Sequence, residues 1–293
     1  MNEPVVSDEW IETHQESFKP PIANKLMFRN MLSVMFVGGP NARKDFHVDE
    51  SSELFFQLRG NMELPIVERG ARKIIKINEG EVFLLPSRIP HSPQRPESGS
   101  VGLVLERARS EGSEFDCMRW YKNFDECDEV EFEQFFYCRD LGKDLVPVAE
   151  SYKRFKNGDT GCTFERTVTP LVLDDSESCV PQPVNLFRWC EEHRKEFECG
   201  ATIPLLDETH PDKEFRLLVT SEEGFKIRGS EYEVFIYQIS GEVNIEDSSA
   251  NSCFELVRSS CFVLAQGKEM RLANGRNRSL TLVVFCDPLG NKK

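Results

Sequence analysis

The sequence predicts an all-β chain with a few short helices, folded as two successive antiparallel barrels of which the second is degenerate and binds no metal. Three observations predict this. Short runs of alternating apolar and polar residues recur between glycines, at residues 53–60, 73–77 and 80–86, and that is the period of strands. The run LFFQLRG at 54–60 is echoed by FIYQISG at 235–241, and VFLLPSR at 82–88 by CFVLAQG at 261–267. Helical spacing of apolar residues is confined to two stretches, 7–16 and 185–197.

Taken in order, DEWIETHQES at 7–16 reads as a short N-terminal helix. The stretch from Gly39 to Gly60 contains His47, Glu53 and Gln57, and that from Gly80 to Arg95 contains Pro86, Arg88 and His91. Side chains two or four apart on a strand share a face. If 43–47 is extended, Arg43 therefore projects with His47, while Gln57 falls beside Glu53 and Arg95 beside His91. Between the two stretches, KIIKI at 73–77 suits a connecting strand, and Gly60 and Gly80 stand where tight turns are needed. The picture is a barrel with its ligands and guanidiniums pointing inward, wide enough for one small molecule. Residues 150–181 are polar and rich in turn formers, which reads as irregular linking chain. The expected division is a first domain over 1–160, a linker over 161–181 and a second domain over 182–293. In the second, no histidine follows His210, and Val234 and Met270 fall where Glu53 and His91 would. It cannot bind a metal in the same way.

Composition excludes several classes. With 293 residues and 39% hydrophobic content there is ample chain for two domains. No apolar run approaches a membrane span, and the start lacks a basic stretch followed by an apolar core, so a cytoplasmic protein is expected. A net charge of -14 without a basic cluster excludes nucleic-acid binding. It also repels an anionic substrate at long range, but screening over about 8 Å at physiological salt leaves the attraction to local arginines. The 10 cysteines contain no C-x-x-C pair, and reduced thiols are the expectation.

Two imidazoles and one carboxylate form the facial triad that holds Fe(II) with positions open for substrate and dioxygen. His47, Glu53 and His91 supply those types and point toward an oxygenase. His14, His193 and His210 read as structural. An inward arginine is costly unless an anion pairs with it, and a guanidinium fork matches a carboxylate. Arg43 and Arg95 beside a metal therefore argue for a carboxylate-bearing substrate. On spacing alone, Arg43 and Arg95 read equally as solvated residues, and Glu106 as a surface carboxylate at a strand end.

These two stretches resemble the paired motifs of the cupin superfamily, with Gly39, His47, Glu53 and Gly60 in the first and Gly80, Pro86 and His91 in the second. Asp45 replaces the usual first histidine, and Arg88 and Arg95 occupy the usual glycine and asparagine positions, leaving three protein ligands. The combination is similar to the animal-type 3-hydroxyanthranilate 3,4-dioxygenase family. The likeness runs through SFKPPIANKLM at 17–27, VMFVGGPN at 34–41, LLPSRIPHSPQR at 84–95, VGLVLER at 101–107 and FFYCRDLG at 135–142.

The resemblance implies one Fe(II) per chain held by His47, Glu53 and His91. It implies a substrate face of Glu53, Arg95, Glu106 and Asn24, with Gln57 behind Glu53. Arg43 and Glu106 take the catalytic roles: Arg43 stabilises charge developing on oxygen, and Glu106 accepts the hydroxyl proton. The implied reaction is extradiol cleavage of 3-hydroxyanthranilate by O2 to 2-amino-3-carboxymuconate semialdehyde, the precursor of quinolinate on the kynurenine route to NAD. Bacterial relatives with a second iron carry paired C-x-x-C motifs near the C-terminus, which this chain lacks. Duplication within one chain implies a monomer. A cupin isomerase using another metal, and a binding cupin without turnover, fit less well, because the triad, both arginines and Glu106 are all present.

Overall fold

Alternating side chains set the strands, and the computed structural model describes them over residues 3–19, 23–159, 170–247 and 252–292. In the N-terminal half the elements are β1 (Val5–Val6), α1 (Ser7–Thr13), β2 (Asn24–Arg29), β3 (Leu32–Gly38), β4 (Asp45–Val48), β5 (Glu53–Arg59), β6 (Met62–Glu68), β7 (Ala71–Ile77), β8 (Glu81–Leu85), β9 (Val101–Arg107), β10 (Asp116–Tyr121), β11 (Val130–Phe136) and α2 (Leu141–Lys156). Then follow β12 (Val184–Asn185), α3 (Leu186–Glu192), α4 (Arg194–Glu198), β13 (Thr202–Pro204), β14 (Phe215–Thr220), β15 (Lys226–Arg228), β16 (Val234–Asp247), β17 (Ser252–Leu256), β18 (Ser260–Leu264) and β19 (Glu269–Cys286). The two stretches with helical spacing are α1 and the α3–α4 pair.

Two compact units result, one of Ser17–Met27 and Ser33–Val184, the other of Met1–Glu16, Phe28–Leu32 and Asn185–Lys293. The expected contiguous first domain over 1–160 is corrected at its start. Val5 and Val6 pair with Cys261 and Ser260 of β18, because that strand's edge offers unsatisfied backbone groups that a short valine strand covers.

In the first unit one sheet runs in the order β8-β5-β9-β3-β2. The other layer contains the β6–β7 hairpin and the ladder β11-β10-β4. His91 joins these two pieces, since its backbone bridges both Ile66 of β6 and His47 of β4. Phe55, Phe83 and Val104 from the first sheet meet Leu64, Ile66, Ile75 and Ile77 from the hairpin in one buried cluster. Burying each such side chain stabilises the unit by about 1.5–3 kcal/mol. The expected barrel is thus built as facing sheets joined by isolated bridges, not as one continuous ladder. Gly60 and Gly80 have φ of +62° and +81°, the left-handed turn conformation that their positions predict.

Two expectations for the middle of the chain are corrected. Residues 150–156 belong to α2. Its charged residues face solvent while Val148, Tyr152 and Phe155 pack on Trp120 and Phe132, so polar content there marks one helical face. The expected linker over 161–181, of which 161–169 lie outside the described residues, is anchored to the first unit from residue 170 onward. Val172 and Val180 are buried at 1% and 2% exposure, and Asp174 takes Arg119 Nη1 at 2.6 Å.

The second unit is built on a sheet ordered β1-β18-β16-β19-β14-β13, with β15 on β19 and β17 on β16. Val234 and Met270, at the positions of Glu53 and His91 in the first unit, lie in its apolar core with Ile227, Ile236, Ile245 and Val283.

Candidate active site

Strand register brings the histidines together. The His47 N–H donates to the His91 carbonyl at 2.8 Å and the His91 N–H to the His47 carbonyl at 2.9 Å. Their rings lie 5.4 Å apart. Glu53 opens β5 opposite Leu85, and its Oε2 reaches His91 Nε2 at 2.9 Å. Between them, Arg88 adopts φ +62° at the motif position usually held by glycine. Gly267, its counterpart in the second unit, has φ +74°. The left-handed turn has been kept while the residue changed, at a cost of about 1–2 kcal/mol. It is held by the Arg88 N–H donating to the Asp49 carbonyl at 2.8 Å and the Asp175 N–H donating to the Arg88 carbonyl at 2.9 Å.

Three buried residues that sequence reasoning missed organise this cluster. Asp116 opens β10 and accepts from His47 Nε2 at 2.8 Å. Arg109 grips Asp116 through Nε and Nη2 at 2.9 and 3.0 Å and donates from Nη1 to Glu106 Oε2 at 2.8 Å. Asp49 lies 3.6 Å from His47 Nδ1 and 3.4 Å from Arg109 Nη2. Burial alone would lower the His47 pKa, but the hydrogen bond and charge of Asp116, with Asp49, raise it to about 9. Burial pushes the Glu106 carboxyl up to about 7 against the opposing pull of Arg109. Asp116 goes down to about 2, because Arg109 and His47 outweigh its burial.

The donor set fits a metal ion. Among the described residues, His47, Asp49 and His91 each offer an atom within 4.8 Å of the others'. Glu53, the expected third ligand, is not in that group but lies against His91, with Oε2 at 2.9 Å from Nε2. His91 Nδ1 faces the Ile89 carbonyl at 2.9 Å, and since a carbonyl only accepts, the neutral ring presents a lone pair at Nε2. That lone pair faces Glu53 Oε2, which is buried and has no well-directed hydrogen bond. Burial would raise the Glu53 carboxyl, yet the hydrogen bond and charge of the His91 ring when Nε2 carries a proton, with His47 and Arg109, hold it below its ordinary value. A metal cation in place of that proton binds both atoms at once.

The other expected site residues fall as follows. Arg95 is 1% exposed. Its backbone is locked to Asn41 by N–H to carbonyl bonds of 2.7 and 2.8 Å, and its Nε and Nη2 have no hydrogen-bond partner. Arg43 lies before β4 and its guanidinium is ion-paired with Asp45, so the extended 43–47 run is shorter than expected. Gln94 clamps the Arg43 backbone, accepting from its N–H at 3.0 Å and donating to its carbonyl at 2.9 Å. Asn24 opens β2 half-buried, and among the described residues no polar contact joins it to the histidines. Glu106 is buried, which resolves its facing inward. Gln57 is fully buried behind Glu53.

The family model for 3-hydroxyanthranilic acid dioxygenase matches residues 1–153. The chain is 33% identical to 3-hydroxyanthranilate 3,4-dioxygenase of Rattus norvegicus over 97% of its own length and 96% of the relative's. It is 41% identical to the enzyme of that name from Danio rerio over 69% of each chain. Among solved structures, a cupin 2 conserved barrel domain protein from Leptotrichia buccalis matches with a TM-score of 0.50 and 8% identity, covering 97% of this chain and 96% of that one. That likeness carries the cupin fold alone. With a triad of the right residue types converging beside a buried arginine, and with likeness spanning nearly its whole length, the chain belongs to the 3-hydroxyanthranilic acid dioxygenase family.

Proposed function

We propose that this chain is an Fe(II)-dependent 3-hydroxyanthranilate 3,4-dioxygenase, cleaving the ring of its substrate with O2 to give 2-amino-3-carboxymuconate semialdehyde. The observation that carries the reading is Arg95, a fully buried guanidinium with two nitrogens free of partners in the interior that holds the histidines. Burial lowers its pKa to about 10 against the opposing charge of Glu53, so it remains cationic at neutral pH, and no carboxylate is hydrogen-bonded to its Nε or Nη2. A ring carboxylate supplies that partner through the guanidinium fork.

His47, Glu53 and His91 would hold the metal. Glu53 is the better third ligand than Asp49: Asp49 Oδ1 accepts from Ser51 Oγ at 3.2 Å, and its Oδ2, buried without a hydrogen bond like Glu53 Oε2, has its charge offset by the Arg109 guanidinium at 3.4 Å. When bound, Fe(II) supplies the one-electron chemistry that lets dioxygen react with the ring. Asp116 holds the His47 ring by Nε2 and so fixes its orientation. Arg95 fixes the ring by its carboxylate, Glu106 accepts the hydroxyl proton, and Arg43 stabilises negative charge developing on oxygen. The buried interior keeps water from competing for these groups. Nine described cysteines, none in a disulfide, support placement in the reducing cytosol, and duplication within one chain supports a monomer.

The test is oxygen uptake by anaerobically Fe(II)-loaded protein given 3-hydroxyanthranilate, with the semialdehyde followed by absorbance. One-to-one consumption and formation is expected; no uptake by iron-loaded protein would overturn the reading. In the same assay Arg95→Ala should keep its iron and raise KM by roughly 10- to 100-fold, the loss of a charge-assisted pair. An unchanged KM would refute the carboxylate assignment.

Glu106 works as a proton acceptor only when ionised. With its pKa raised to about 7 by burial, kcat/KM should fall as pH drops through about 7, or lower once a metal's charge is present. Glu106→Gln should abolish that acid limb and lower kcat by roughly 10²- to 10⁴-fold. An acid limb unchanged in Glu106→Gln would assign the proton to another group.

A further inference from the structure

The two units repeat one buried arrangement with one difference, and the difference lies beside Arg95. In the first unit Gln57 pairs across the sheet with Gly102. In the second, Gln238 pairs with Thr281. The registers agree residue by residue: Phe55 opposite Val104 corresponds to Ile236 opposite Val283. Both ladders slip immediately after the glutamine, between Gln57 and Arg59 and between Gln238 and Ser240.

Both amides are locked the same way. Gln57 Nε2 donates to the Arg59 carbonyl at 2.9 Å and to Ser100 Oγ at 2.8 Å. Gln238 Nε2 donates to the Ser240 carbonyl at 2.7 Å and to Ser279 Oγ at 2.9 Å. With both N–H groups used on acceptors, the orientation of each amide is fixed, and each Oε1 points back across the strand. There the units part. Thr281 Oγ1 donates to Gln238 Oε1 at 2.7 Å, whereas Gln57 Oε1 is buried without a partner, because Gly102 has no side chain to offer.

Gly102 leaves more than a missing donor. A Cβ at that position would stand 2.6 Å from Gln57 Oε1 and 3.0 Å from Arg95 Nη2. The space vacated by a side chain is therefore where an unpartnered acceptor and an unpartnered guanidinium nitrogen converge. A buried amide oxygen left unmatched is destabilising, and a buried guanidinium is more so. In the second unit, Asn274, four residues after Met270, is exposed, and the threonine satisfies the glutamine.

We propose that Gln57 and Gly102 are positioning residues for Arg95: Gly102 opens the space for its guanidinium, and the fixed Gln57 Oε1, which has no partner in the structure, stands beside that space to take one Nη2 proton when the remaining N–H edge turns to a carboxylate ligand. The inference rests on the reading of Arg95 as the carboxylate-binding residue and extends it to what makes the site selective for a carboxylate.

The test titrates the full-length, Fe(II)-loaded protein under anaerobic conditions with 3-hydroxyanthranilate and with 2-aminophenol, which lacks the carboxylate. Gly102→Ala and Gln57→Met should each weaken 3-hydroxyanthranilate binding roughly tenfold or more, and 2-aminophenol binding by less than about threefold. In an Arg95→Ala background Gln57→Met should add no further loss for either ligand. If Gln57→Met lowers the melting temperature, Gln57→Glu keeps the side-chain shape, and its carboxylate should pair with Arg95 and give the same selective loss. Equal weakening of both ligands, or weakening that persists without Arg95, would mean a purely structural role and would overturn the proposal. If Arg95→Ala weakens 3-hydroxyanthranilate while neither neighbour's substitution does, the positioning inference alone falls. If Arg95→Ala changes nothing, the carboxylate reading falls and takes the inference with it.

Discussion

His91→Ala is expected to give a folded chain that no longer retains Fe(II) after anaerobic loading and desalting, and with it no oxygen uptake. The backbone bridge between residues 47 and 91 uses main-chain groups, so the substitution spares the link between the two parts of that layer. What disappears is the imidazole whose lone pair faces Glu53. Glu53→Ala should behave alike, whereas Asp49→Asn should retain most of its iron, because the charge of Asp49 is offset by Arg109 at 3.4 Å and its Oδ1 is taken by Ser51. Metal content measured by elemental analysis on the three variants separates the assignments. Iron lost from Asp49→Asn and kept by Glu53→Ala would exchange the roles of the two carboxylates. Loss of a protein ligand from a three-ligand site removes tightly held metal outright, since the binding free energy is spread over few bonds.

Arg109→Met is expected to be the most destabilising single substitution in the first unit, by about 3–5 kcal/mol, the loss that follows removal of one partner from a buried ion pair. One guanidinium serves Asp116 twice, Glu106 once and Asp49 at longer range. All three carboxyls would be left in the interior, and His47 would lose the rigid anchor behind it. The dependence on acidity has a definite sign. Arg109 is the leading neighbour that lowers the Asp116 pKa to about 2. A carboxyl lowered in the folded state contributes stability that is present above its unfolded value of about 3.9 and is lost as pH falls through the folded one. The gap between the parent chain and Arg109→Met should therefore be widest near neutral pH and narrow below about pH 4. Chemical denaturation at several pH values measures it, and a gap independent of pH would show that packing, not charge, dominates at this position.

The part of the site legible in the sequence is the part built from short spacings. His47, Glu53 and His91 stand out because glycines and a proline frame them and strand parity aligns them. Gln57 and Arg95 follow from the same parity. Asp116 and Arg109 escape this logic, since Asp116 meets His47 across 69 residues through a ladder that sets Met118 opposite His47. No local pattern encodes that meeting. Arg109 lies two residues past β9, where alternation no longer states a facing. Arg43 shows the reverse failure: parity with His47 is sound only while the chain is extended, and β4 begins at Asp45. The helix α2 is hidden because its solvent face is as polar as a loop, while its buried face meets aromatic residues of β10 and β11.

The left-handed turn at Arg88 has a consequence for dissecting this protein. Its carbonyl is held by the Asp175 N–H, its N–H holds Asp49, and five residues further on Val180 plugs the core between the layers. A shortened chain ending near residue 160 would look like a complete single-barrel enzyme by motif content. It would nonetheless lack the strut that keeps one edge of its metal pocket in place. A fragment that keeps the unit must reach Val184, so the stretch that resembles a spacer is part of the catalytic machinery's frame.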